Sequence, residues 1–121
     1  MNKKIALAFL IASFLVGDAY GMTAGEWVTK YKKPASSQEV AILLAYIKGA
    51  SEGVQWMDTE MELEDKGNFF CISDNIALTL QQRVSMFKGV LNDRPFLSKF
   101  RIGAVMIEAY KYAFPCIDKP N

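Results

Sequence analysis

Beyond residue 22, apolar positions recur at intervals of three and four, the period of helices that each bury one stripe. The longest run begins at Ser37 and carries Leu43, Ile47, Ala50, Val54, Met57 and Met61. A second, Leu80 to Asn92, sets Leu80, Val84, Phe87 and Leu91 on one face. A third, from about Ser98 to Phe114, does the same with Ile102, Val105, Met106, Ala109 and Ala113 before Pro115 stops it. A shorter run from Ala24 to about Lys32 presents Trp27 and Tyr31 one turn apart and ends before Pro34. No stretch sustains period two, and no hairpin dipeptide such as Asn-Gly occurs. The pattern predicts an all-α, compact four-helix domain with short connections.

Helix starts carry their own signal. Thr23-x-x-Glu26, Ser36-x-x-Glu39 and Thr79-x-x-Gln82 each fit a capping box, in which two side chains satisfy orphan backbone N–H groups reciprocally. Gly49 and Gly53 fall inside the long helix. Each costs roughly 1 kcal/mol relative to alanine there, which predicts a close packing neighbour or a bend. Gly67-Asn68 marks the break after it, and Phe69-Phe70 follows as an apolar pair expected in the core, beside Cys71.

The first stretch has a different character. Lys3 and Lys4 precede an unbroken apolar run from Ile5 to Val16, and Ala19-Tyr20-Gly21 supplies a small-x-small pattern. A run of that length falls short of the roughly 20 residues of a membrane span, so residues 1–21 read as a cleaved secretory signal. Residues 22–121 then form one domain. Removing the signal takes away Lys3, Lys4 and Asp18, so the 14 basic and 13 acidic residues of the whole chain become 12 of each. A neutral remainder excludes a protein whose main partner is nucleic acid or an anionic membrane, since both demand basic excess. Cys71 and Cys116, the only cysteines, allow a single intramolecular bridge, and an oxidising compartment lets it persist. Such a bridge ties the exit of the last helix to the approach of the one before it, closing the last helical hairpin.

The chain contains no histidine. That removes Ser-His-Asp and Cys-His catalysis and His-based zinc sites, and no glycine-rich phosphate loop is present. Neither an enzyme nor a metal or cofactor site is expected. Two stretches remain as candidate surfaces. Asp58, Glu60, Glu62, Glu64 and Asp65 form a dense acidic run whose spacing does not match a calcium loop; it reads as a solvated helix end or a partner-facing edge. Asn92-Asp93-Arg94-Pro95-Phe96 joins two helices and holds charges of both signs beside an aromatic ring, the composition of a rigid binding protrusion.

Read in order, the sequence resembles the Rap/Tai immunity proteins of type VI secretion systems. The likeness is carried by Ala45-Tyr46-Ile47-x-Gly49, the acidic stretch, Phe70-Cys71-Ile72, Thr79-x-x-Gln82, and above all Ala104-Val105-x-x-x-Ala109-x-x-x-Ala113-Phe114-Pro115-Cys116. It covers roughly residues 40 to 116. The resemblance implies a small helical, disulfide-bonded periplasmic protein, often a homodimer, that binds and blocks a peptidoglycan amidase effector. The acidic run and Asp93, Arg94 and Phe96 would then be the partner-binding residues. The alternative reading is a small helical periplasmic chaperone, with Met57 and Met61 as adaptable apolar surface. Without histidine, its switching would fall to carboxylates.

Overall fold

The computed structural model describes residues 21–117, so the predicted signal lies outside the described residues except for Gly21. Four helices follow one another: α1 (Ala24–Lys32), α2 (Ser37–Leu63), α3 (Leu80–Asp93) and α4 (Ile102–Ala113). A short 3₁₀ turn, Pro95–Lys99, lies between α3 and α4. Among the described residues there is no strand, only an isolated antiparallel bridge between Thr23 and Arg101. The fold is all-α, and Cys71 is bonded to Cys116.

All three N-caps form, each with a Thr or Ser oxygen accepting the N–H three residues on. Only α3 completes the reciprocal box, where Gln82 Oε1 accepts the Thr79 N–H at 2.8 Å. On α2, Glu39 reaches one residue further back and accepts the Ala35 N–H instead.

The core gathers one face from each helix. Leu43, Ile47 and Val54 of α2 meet Val84, Phe87 and Val90 of α3 and Val105, Met106 and Ala109 of α4. Trp27 organises the α1 side: it is fully buried, stacks on Tyr31 at 4.6 Å and meets Phe87 edge-on at 5.2 Å. Its indole N–H donates to the Leu43 carbonyl at 2.8 Å, so the ring is buried with its one polar atom satisfied. Gly25 lets α1 approach the 3₁₀ turn, because a Cβ there would lie 3.0 Å from the Ser98 carbonyl oxygen. A buried hydrogen bond between the Ser51 and Tyr110 hydroxyls ties α2 to α4.

Helix four starts later than its periodicity predicts. Pro95–Lys99 winds as 3₁₀ turn, and Phe100 and Arg101 are extended. The extended pair binds the backbone before α1: Ala24 N–H donates to Phe100 O at 2.8 Å, and Ile102 N–H to Met22 O at 3.4 Å. A contact from so far along the chain overrides the local helical tendency. Ala113, expected inward, is exposed, and Tyr110 takes the inward place. The apolar pair also divides: Phe70 is buried against Tyr110 at 4.8 Å, while Phe69 is 40% exposed. Beyond its own turns of α2, nothing lies within 4 Å of where a Cβ on Gly49 or Gly53 would sit. Among the described residues the expected close packing partner is absent.

Candidate functional site

The acidic run divides in space. Asp58 is turned inward: only 7% exposed, it accepts the Phe69 N–H at 2.8 Å and the Asn68 Nδ2 at 3.0 Å. It fastens residues 68 to 70 across the end of α2 and does not offer a partner-binding carboxylate. Helix periodicity explains the difference, since Val54 and Asp58 are four apart on the buried face while Glu60 and Glu62 lie off it.

Glu60, Glu62, Glu64 and Asp65 are exposed. Glu64 pairs with Lys66 at 2.6 Å, an exposed ion pair of little energetic weight. The chain then leaves the helix through Asp65 at φ 58° and Gly67 at φ 80°. Acidic groups at a helix C-terminus face the negative end of its dipole, and no basic residue occupies the last turn of α2. The local helix gains nothing from these charges, so they form a negative edge open to solvent or to a cationic partner.

The second surface is built more firmly. Asp93 accepts a hydrogen bond from the Tyr112 hydroxyl. Arg94 Nη1 donates to Glu108 Oε2 at 3.2 Å while its guanidinium lies 6.0 Å from the Tyr112 ring centroid. Lys111 reaches the other Glu108 oxygen at 3.4 Å. The Asp93 hydrogen bond and negative charge raise the Tyr112 phenol above its ordinary pKa, against the opposing pull of Arg94. Pro95 opens the 3₁₀ turn with its φ already restricted, and buried Leu97 pins the segment to the core. Between these anchors Phe96 projects, 61% exposed. Arg94, Phe96, Leu97, Phe100, Ala104 and Glu108 line a shallow groove of about 320 Å³ beside it. Glu108 and Tyr112 hold this loop, though the sequence reading gave them no role. Their spacing of four on α4 was the available signal.

The bridge serves the frame. Cys116, beyond the end of α4, is joined to Cys71, whose N–H also donates to Phe114 O at 2.8 Å. Closing a loop with a sequence separation of 45 restricts the unfolded chain by about 4 kcal/mol. No group of three or more His, Cys, Asp or Glu among the described residues is placed to hold a metal ion. No described helix is long and apolar enough to cross a membrane. Compared with protein-family profiles, curated proteins and solved structures, the chain matches none.

Proposed function

We propose that this protein is a periplasmic inhibitor, which binds a peptidoglycan amidase effector of a type VI secretion system and blocks its substrate groove. The reading rests on the sequence resemblance to the Rap/Tai immunity proteins. The observation that best supports it is the loop Asp93–Leu97. Phe96 is exposed on a segment already held by Tyr112, Glu108 and buried Leu97. A protrusion ordered before binding loses little entropy on docking, and an aromatic anchor carries much of an interface's energy. The negative edge of Glu60, Glu62, Glu64 and Asp65 would guide the encounter with a basic rim on the enzyme.

The test is co-expression of candidate amidases in the periplasm with and without this protein, followed by lysis. Protection against one amidase is the expected result. Phe96→Ala should weaken the complex by about 30- to 1,000-fold, as for an interface anchor. Reversing the charges of Glu60, Glu62 and Glu64 should slow association and reduce its salt dependence. Lysis unaltered by the protein for every candidate amidase defeats the proposal. The chaperone reading has an observation of its own, the exposure of Trp56 at 78% and Leu63 at 75%. It requires suppression of aggregation of unrelated proteins, which a dedicated inhibitor would not give.

A further inference from the structure

The two sides of the 3₁₀ turn differ in charge. On one side lies the Phe96 groove, where Arg94 and Glu108 neutralise each other at 3.2 Å. On the other, between α1, α3 and the turn, a groove of about 620 Å³ has apolar walls from Val28, buried Leu91 and Pro95. Gly89 leaves α3 bare along it, for beyond its own helix nothing lies within 4 Å of where a Cβ would sit. The volume falls within the roughly 300–1,000 Å³ of ligand-binding clefts.

The charge of this groove is one-sided. Lys32 of α1 and Lys88 of α3 line it, and no carboxylate does. Both lysines are exposed, and the ion pairs found among the described residues use Lys66, Arg94 and Lys111 instead. Lys32 lies in the last turn of α1 and complements its dipole. Lys88 has no such duty. It precedes the last turn of α3, and its Nζ sits 5.7 Å from the Tyr31 ring centroid. That contact holds the ammonium beside the groove without neutralising it. Two ammonium groups lining one groove repel each other, and an anion placed between them turns the repulsion into attraction.

We infer that this groove takes an acidic, extended segment of a partner protein. Its carboxylates pair with Lys32 and Lys88, and its apolar side chains lie on Val28, Leu91 and Pro95. The exposed Asn92 amide, also in the lining, can both donate to and accept from a peptide backbone. No aromatic residue lines the groove to stack a nucleic-acid base. Pro95 lines this groove and Phe96, next in the chain, lines the other, so a partner seated on Phe96 reaches both. That this partner is the amidase rests on the inhibitor reading; the preference for an acidic segment rests on the groove alone. The acidic edge of α2 has the opposite sign, so the two surfaces together demand opposite charges on the partner and fix its orientation.

The probe is a short fluorescein-labelled peptide of alternating glutamate and leucine, titrated with the purified mature protein at low salt and followed by fluorescence anisotropy. It should bind with a Kd below about 1 mM, roughly tenfold or more tighter than its glutamine-for-glutamate counterpart, and should weaken as salt rises. Lys32→Gln and Lys88→Gln should each weaken binding about two- to fivefold. Lys48→Gln removes the same charge from α2, outside the groove, and should leave binding unchanged. Gly89→Leu should abolish binding with the circular dichroism intact, because the new side chain enters the groove and leucine favours the helix. Absence of binding, equal binding of the glutamine peptide, or an equal loss with Lys48→Gln overturns the proposal. So does a single-stranded oligonucleotide that binds as tightly as the peptide, since the groove would then be a general anion surface. Protection from an amidase without peptide binding overturns the groove and leaves the inhibitor reading intact. Peptide binding without protection from any amidase does the reverse.

Discussion

Asp58 gives the sharpest test of how this fold uses its acidic run. Replacing it with alanine removes the acceptor for two donors, the Phe69 N–H at 2.8 Å and Asn68 Nδ2 at 3.0 Å. Hydrogen bonds to a charged group contribute about 1.5–3 kcal/mol each. The two donors do not lose equally. Both bonds are part-buried, but the Asn68 side chain can turn to water, whereas the Phe69 N–H is fixed in the backbone next to buried Phe70. The expected loss is therefore about 2–3 kcal/mol, close to one full bond plus part of a second. For a domain of this size, that lowers the melting temperature by about 8–20 °C. Asp58→Asn should fall between alanine and wild type, since its carbonyl still accepts from Phe69 while its amide opposes Asn68. Glu60→Gln and Glu62→Gln, at exposed positions, should stay within about 0.5 kcal/mol of wild type. Thermal unfolding followed by circular dichroism, with the Cys71–Cys116 bridge intact throughout, measures all four variants. An Asp58→Ala midpoint no lower than that of Glu60→Gln refutes the tether, and equal losses at Asp58 and Glu60 would refute the division of the run into structural and solvated members.

Two further outcomes follow from the hydroxyl contacts. The buried Ser51–Tyr110 pair should respond asymmetrically in urea unfolding. Ser51→Ala strands the tyrosine hydroxyl and should cost about 1–2 kcal/mol, while Tyr110→Phe leaves a serine that can turn to the carbonyl four residues back and should cost less. The double variant should be clearly milder than the sum of the two, and strict additivity would mean the hydroxyls do not act as a pair. Tyr112, whose pKa is raised by its hydrogen bond to Asp93 and by that residue's charge, favours the neutral phenol in the folded state. Its contribution to stability is present below the ordinary tyrosine value and lost as pH climbs through the raised one. In an ultraviolet titration, Asp93→Asn should bring the Tyr112 transition back down, with Tyr112→Phe identifying the band; an unmoved transition would remove Asp93 as the cause.

The helical class was legible in the sequence because it depends on local spacing. Leu43, Ile47 and Val54 recur at helical intervals whatever surrounds them, and Thr79 with Gln82 caps α3 through groups three residues apart. The bridge was legible for a similar reason of economy, as two cysteines permit one pairing. The candidate surfaces were legible only as stretches of chain. Asp58 looks the same as Glu60 in a list of acids, and only the return of Asn68 and Phe69 across the end of α2 makes it an internal acceptor. The late start of α4 is likewise decided at a distance, by the backbone of Met22 and Ala24 binding Phe100 and Ile102. Gly49 and Gly53 lie between these cases: their spacing asked for a close neighbour or a bend, and among the described residues no close neighbour is supplied. Spacing of three and four residues determines which helices form and which stripe of each is apolar, since those forces act within a turn or two. Which side chains are covered, which loop is locked and which apolar face is left open depend on contacts between residues dozens of positions apart, and only the folded chain brings these together.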